Sequence, residues 1–318
     1  MNDEPKKEKV FICGGAGYIG GYLTDLLVEN GYDVTVYDNL VYETRFLKNV
    51  PFIYGDVRDQ NKLAQHISQY DVVIWLAAIV GDSACAINKN LTSEINFHSV
   101  QWLTKNYSGK IIFMSTCSVY GVNNEISDES SLTNPLSHYA ATKLEAEQEV
   151  VTNARHYLAF RLGTVFGVGD RYSRVRFDLV VNSLVKRAVM GQLLTVFGGG
   201  QWRPLLHVKD VAEAVLFGLK NNITGLYNLA TINYKICDIA QEIERIIPHT
   251  RVEYVNTKFE DVRNYKVSAE KFIACGWQPK YDLTHGINEI QQILSEARLK
   301  DPHDAVYSNF DYLKNKIL

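Results

Sequence analysis

The sequence predicts an α/β fold, a doubly wound parallel sheet joined to a smaller mixed α/β lobe. Three observations carry this. Short β-branched runs alternate with longer amphipathic stretches through the first half of the chain, a glycine-rich turn joins the first run to the first stretch, and the alternation breaks after about Gly167. At 318 residues the chain exceeds one minimal core and suits two lobes. Hydrophobic residues at 46% and charged residues at 22% argue against disorder. A net charge of −3 leaves no basic surplus for a nucleic-acid partner. The longest apolar run, Val72–Val80, has nine residues and falls short of the roughly 20 that a membrane span needs.

The elements follow in order. Val10–Cys13, Asp33–Tyr37, Phe52–Tyr54, Val72–Leu76, Ile111–Ser115 and Leu158–Arg161 read as buried strands. Tyr18–Asn30, Gln60–Ser68, Thr92–Asn106 and Tyr139–Ala154 read as helices, with Gly31 where a left-handed residue ends the first. Gly167–Arg176 is loop-like and basic, Phe177–Met190 reads as helix, and Phe197–Pro204 is a second glycine-rich loop. Val208–Lys220 and Leu226–Leu229 form a helix–strand pair expected to rejoin the sheet, and the chain ends in a polar tail. Residues 1–170 are therefore expected to hold the parallel sheet and 171–318 mainly the second lobe, with a return at about 205–235.

The polar amino terminus lacks the apolar core of a secretory signal. Five scattered cysteines without a C-x-x-C pair read as reduced thiols of a cytoplasmic protein. The eight histidines show no ligand spacing, so no metal is expected.

The chemistry starts at the first strand, which runs into Gly14-Gly-Ala-Gly-Tyr-Ile-Gly20 and then a helix. Small residues permit a tight turn, close approach of backbone N–H groups to a pyrophosphate, and close helix–strand packing. Asp38 closes the second strand, 18 positions beyond Gly20. A carboxylate there accepts from ribose hydroxyls and repels a 2′-phosphate, which favours NAD over NADP. Asp56, after the third strand, is a candidate for contact with adenine. Tyr139-Ala-Ala-Thr-Lys143 puts a phenol and an ammonium on one helix face. The lysine, together with the positive nicotinamide ring of NAD⁺, is expected to bring a phenol of ordinary pKa about 10 toward working range. A hydroxyl at the end of the strand before Thr116-Cys-Ser-Val-Tyr-Gly121 could share the sugar proton that Tyr139 takes.

In this combination the chain resembles the extended short-chain dehydrogenase/reductases that modify nucleotide sugars. The matching residues are Gly14-x-x-Gly17-x-x-Gly20, Asp38, Asp56-Val57, Leu76-Ala-Ala78, Ser115–Gly121, Tyr139-x-x-x-Lys143 and Arg203-Pro-Leu-Leu-His-Val-x-Asp210, in family order. The resemblance implies a Rossmann-type sheet, with Tyr139 as acid/base, Lys143 on the nicotinamide ribose and Thr116 completing the triad. It implies an NAD site of Gly14, Gly17, Tyr18, Ile19, Gly20, Asp38, Asn39, Asp56, Val57, Leu76, Ala77, Ala78 and Asn96 besides Tyr139 and Lys143. A nucleoside-diphosphate sugar would meet Asp82, Ser118, Arg174, Arg176, Asn182, Val196, Arg203 and Arg263. His207 and Asp210 would brace the returning segment, and the family's pairing mode implies a homodimer through Thr92–Asn106 and Tyr139–Ala154.

Departures narrow the reaction. The family's 4,6-dehydratases carry Asp-Glu after the threonine, where this chain has Cys117 and Ser118. Its GDP-sugar 3,5-epimerases carry a cysteine at the position of Ser118, and Cys117 reads instead as a packing residue. The motif is most similar to that of 4-epimerases, which implies a redox-neutral reaction through a 4-keto intermediate. A 4-dehydrogenase or 4-keto-reductase shares the same triad, and a non-catalytic NAD-binding regulatory protein could share the fold.

Overall fold

The computed structural model describes residues 7–43, 46–255 and 264–317. Its centre is a seven-stranded parallel sheet in the order Gly225–Leu229, His156–Leu162, Lys110–Thr116, Val72–Trp75, Lys9–Cys13, Asp33–Asp38, Phe52–Tyr54. Successive side chains of a strand face opposite ways. Val10, Ile12, Val72, Ile74, Ile112, Met114, Leu158 and Phe160 therefore join one core with Leu23 and Leu27 of helix Gly20–Glu29 and Val211 and Val215 of helix Val208–Lys220. Phe11, Cys13, Val73, Trp75, Ile111 and Phe113 join the other, with Leu63, Val100, Leu103, Ala146 and Val150. Helices cover both faces, which is why these strands are apolar throughout rather than alternating.

Chain order reverses beside Lys9–Cys13. The next strand, Asp33–Asp38, pairs on one side, and Val72–Trp75 pairs on the other. A crevice opens at the carboxyl ends of such strands, the usual ligand position in this architecture. The Leu206–Leu229 segment packs on this sheet, and Phe272 and Trp277 return to the same core.

A second core gathers Phe166, Val181, Val185, Leu194, Leu205, Ile239, Ile243, Ile287 and Ile290. It is built from helices Val180–Val189, Ile236–Ile246 and Leu283–Ser295 with a three-stranded sheet of Thr164–Phe166, Trp202–His207 and Ile232–Lys235. His207 is fully buried, its Nε2 2.9 Å from Glu289, and Asp210 accepts the backbone N–H groups of Lys280 and Tyr281.

Several elements depart from the sequence expectation: the helix expected over Gln60–Ser68 is a helix over Gln60–Ala64 and a separate 3-10 turn over Ile67–Gln69, and the loop expected over Phe197–Pro204 gives way to a strand at Trp202. The stretch expected as one helix over Thr92–Asn106 is Lys89–Ser93, a π-helical turn over Glu94–His98, and Ser99–Asn106. The wide turn carries Asn96, whose side chain makes two bonds to Ile79. The helix expected from Phe177 starts at Val180, because the Phe177 N–H pairs with Tyr307 and the Asp178 carboxylate holds Arg176. The carboxyl-terminal tail contains a helix, Asn309–Ile317, with the Ser308 hydroxyl accepting the Asp311 N–H at its start. Its Leu313 is 4% exposed and packs with Ile79, Ala84 and Cys85. Burying one such side chain contributes roughly 1.5–3 kcal/mol.

Candidate active site

A cavity of about 1010 Å³ lies along the crevice and between the two cores. That is the top of the usual range of ~300–1,000 Å³ for ligand pockets and leaves room for more than one small ligand.

The glycine turn forms one end. Gly14 has φ +83°, and a Cβ there would lie 2.5 Å from the Ala77 nitrogen. A Cβ on Gly20 would lie 2.4 Å from the Gly15 oxygen, so helix and turn are in direct backbone contact. At Gly17 a Cβ would meet only the Gly14 oxygen, at 3.4 Å, and the space before it opens into the cavity. This bare backbone at a helix start fits a dinucleotide pyrophosphate. Asp38 accepts the N–H groups of Ala16 at 3.1 Å and Leu40 at 2.7 Å. Burial raises its carboxyl above the ordinary range, against the pull of these bonds. Each oxygen keeps a second lone pair for a ribose hydroxyl. Tyr18, Ile19, Asn39, Val57, Leu76, Ala77 and Ala78 also line the cavity, and the residues present fit NAD.

One expected cofactor contact needs correction, and a second is engaged within the protein. Asn96 is 1% exposed and stands behind the wall: its Oδ1 accepts the Ile79 N–H at 2.8 Å and its Nδ2 donates to the Ile79 carbonyl at 2.9 Å. Asp56 lines the cavity, but both its oxygens are engaged by Arg58, and Oδ2 also by Asn39. Burial would raise this carboxyl, and the Arg58 bonds hold it low instead.

The reacting end is set where strand Lys110–Thr116 meets helix His138–Asn153. The Ser137 hydroxyl accepts the Ala140 N–H at the helix start and donates to Asp82 at 2.6 Å. Thr116 lines the cavity with the Tyr139 phenol and accepts the Ser118 N–H at 3.1 Å. One turn on, Lys143 is 3% exposed, its ammonium 4.1 Å from the centre of the Phe113 ring. Burial brings Lys143 down to about 7, with Glu147 acting in the opposite sense. Burial likewise pushes the Tyr139 phenol well above its ordinary value, with Cys85 and Asp82 adding to the rise and Thr116 and Arg176 opposing it. Lys143 by itself does not offset this rise: desolvation dominates both groups.

Behind Lys143, Glu147 and Arg161 form a buried pair at 2.6 Å that continues through the Tyr120 hydroxyl to Asn228. Cys117 is fully buried, and its thiol donates to the Arg161 carbonyl at 3.1 Å, away from the cavity. Burial pushes that thiol far up, so it is a poor base.

Asp82, Ser118, Arg174, Arg176, Val196 and Arg203 all line the far side of the cavity. Arg176 forks onto Asp178 at 3.0 and 2.9 Å, and Arg174 donates to Val306 and to Asn309 at 2.6 Å. Asn182 is a correction: it is fully buried outside the cavity lining, bonded to Gly167 and to the Arg176 carbonyl. Arg263 lies outside the described residues. Sequence reasoning missed Tyr42, Ser137, Asp178, Tyr265, Asn309 and Phe310, which also face the cavity. The signal for Phe310 was available, since it stands three residues before Leu313 at helical spacing. The hydroxyls of Tyr42 and Ser115 and the Gln201 Oε1, all in this lining, are buried without a partner among the described residues. Also among the described residues, no three His, Cys, Asp or Glu side chains are grouped to hold a metal, and no helix is long and apolar enough to cross a membrane.

Comparison with known proteins places this geometry in context. A model described as the NAD dependent epimerase/dehydratase family matches residues 10–230. A putative UDP-glucose 4-epimerase of Methanocaldococcus jannaschii is 30% identical over 305 residues, covering 88% of this chain and 96% of its own. A UDP-N-acetyl-alpha-D-glucosaminuronate decarboxylase of Bacillus cytotoxicus is 28% identical over 316 residues, covering 91% and 98%. Among solved structures, the Thermus thermophilus UDP-glucose 4-epimerase in complex with NAD superposes with a TM-score of 0.78 at 25% identity, covering 91% of this chain and 99% of that one.

Proposed function

The chain belongs to the NAD-dependent epimerase/dehydratase family, and on that premise we propose that it is a nucleotide-sugar 4-epimerase working through a 4-keto sugar. The observation that carries this reading is that Thr116, Tyr139 and Lys143 converge on one cavity, with no carboxylate at positions 117 and 118. Tyr139 takes the proton of the sugar's 4-hydroxyl, and Thr116 orients that hydroxyl by sharing it. Bound NAD supplies hydride acceptance and return at carbon 4, and its positive ring favours phenolate where Lys143 alone does not. Gly14, Gly17, Gly20 and Asp38 hold the dinucleotide, and Lys143 reaches the nicotinamide ribose.

The turned-away thiol of Cys117 and the hydroxyl of Ser118 offer no acid or base for elimination beside the ring. That favours reduction of the 4-keto group from its opposite face, with Tyr139 returning the proton to its oxygen, over loss of water. Arg203 suits the diphosphate, since a guanidinium fork matches its oxygens, and Arg176 adds the nitrogen that its fork onto Asp178 leaves over. The free thiols suit a reducing, cytoplasmic setting, and pairing of two copies follows the family's habit.

The test is incubation with UDP-, dTDP-, GDP- and CDP-sugars, with products resolved by chromatography and NMR and NADH followed by absorbance. A 4-epimer formed without net NADH is the expected result. Released carbon dioxide, a dehydrated sugar or stoichiometric NADH would overturn the epimerase reading. Tyr139→Phe is expected to cost about 10²–10⁴-fold in turnover with NAD still bound.

A further inference from the structure

The helix Asn309–Ile317 packs through Leu313 on Ile79, Ala84 and Cys85, beside Tyr139. Asn309 is 4% exposed and makes three bonds to three different walls. Its N–H donates to the Asp178 carboxylate at 3.0 Å, its Nδ2 donates to the Val80 carbonyl at 2.9 Å, and its Oδ1 accepts from Arg174 at 2.6 Å. Asp178 in turn holds Arg176, whose charge acts on Tyr139. Arg174 lies 4.3 Å over the Tyr42 ring, whose hydroxyl is among the buried atoms without a partner, and Tyr312 packs on that same ring at 5.5 Å. Phe310 is 37% exposed and lines the cavity beside Asn309.

We propose that this helix is a working part of the sugar-nucleotide site: Asn309 is a positioning residue that fixes Arg174 and the Arg176–Asp178 pair, and Phe310 is a specificity-determining wall against the sugar. The inference rests on the nucleotide-sugar reading above. Without the Asn309 side chain, the Arg174 guanidinium and the Val80 carbonyl lose an anchor while the Arg176–Asp178 pair keeps the backbone N–H at 309, so substrate binding through Arg174 suffers before chemistry does. Without Phe310, the wall recedes and discrimination against bulkier sugars relaxes.

The test uses the full chain with NAD bound and titrates UDP-, dTDP-, GDP- and CDP-glucose by calorimetry, alongside KM and kcat on whichever sugar nucleotide binds. Asn309→Ala is expected to raise Kd and KM at least tenfold with kcat within threefold and NAD content unchanged. Phe310→Ala is expected to raise both severalfold and Phe310→Leu to restore most of the loss. A merely structural role would instead lower the active fraction, and with it kcat, at constant KM. Should Asn309→Ala fail to fold, Phe310→Ala at its half-exposed position still decides. Wild-type and Phe310→Ala binding the same sugar nucleotide equally would overturn this inference alone. A wild-type protein that binds none of the four would overturn the nucleotide-sugar reading, and this inference with it.

Discussion

The two ends of the cavity are built in different ways. At the glycine turn the ligand-facing groups are backbone, held by the parallel register: the Gly14 N–H bonds the Tyr37 carbonyl at 2.8 Å, and the N–H groups of Leu76 and Ala77 both reach the Cys13 carbonyl. At the arginine end the groups are long side chains anchored by partners far along the chain, Arg174 by Asn309 across 135 positions. A backbone cradle fails only when something is pushed into it. A side-chain cradle fails whenever one anchor is lost.

That contrast can be broken by substitution. The largest effect is expected at the buried pair behind Lys143, where Glu147 is 2% exposed and Arg161 is 5% exposed. Arg161→Met leaves the carboxylate without its partner in a dry interior, at a cost of about 3–5 kcal/mol. Urea unfolding measures it, and a loss below about 1 kcal/mol would show that water reaches the pair. Next comes Gly14→Ala. Its Cβ would sit 2.5 Å from the Ala77 nitrogen at a positive φ, so NAD is lost and stability falls by more than ~1 kcal/mol. Nucleotide released on denaturation reads the first effect, and retained NAD would mean that the turn yields more easily than the sheet suggests.

The smallest effect separates charge from packing at the reacting end. Lys143 titrates near 7 in the folded protein against an ordinary 10.5, so the unfolded chain binds more protons between those values. Its contribution to stability therefore rises as pH climbs from about 7 toward 10. Lys143→Met is expected to raise the melting temperature of the nucleotide-free protein near pH 7, with the gain shrinking at higher pH. A gain constant across that range would assign the effect to packing.

The same contrast governs what could be read from the residues. The fold was legible because strand runs and helical stretches are local patterns, and Gly14, Asp38, Tyr139 and Lys143 follow from fixed offsets within them. Asn182 and Asn96 were misjudged for one reason: residue type marks a polar group but not the direction it faces, and both amides turn inward to satisfy backbone. Asn309 was missed because its partners, Val80, Arg174 and Asp178, are distant in sequence and no local spacing announces them. The depressed Lys143 was also hidden, since its environment depends on Phe113 lying directly beneath it.

The loop after Ala78 shows what such distant anchoring does to the range of substrates. Ile79 is held through both backbone groups by Asn96, Val80 by Asn309, and Asp82 by Ser137. Each bond is directional, and together they come from three separate segments, so this jaw of the cleft is anchored at three points. A bulkier sugar gains no room there. Accommodation falls to Phe310 and to the opposing jaw, where Phe197 and Gln201 stand in the second glycine-rich stretch.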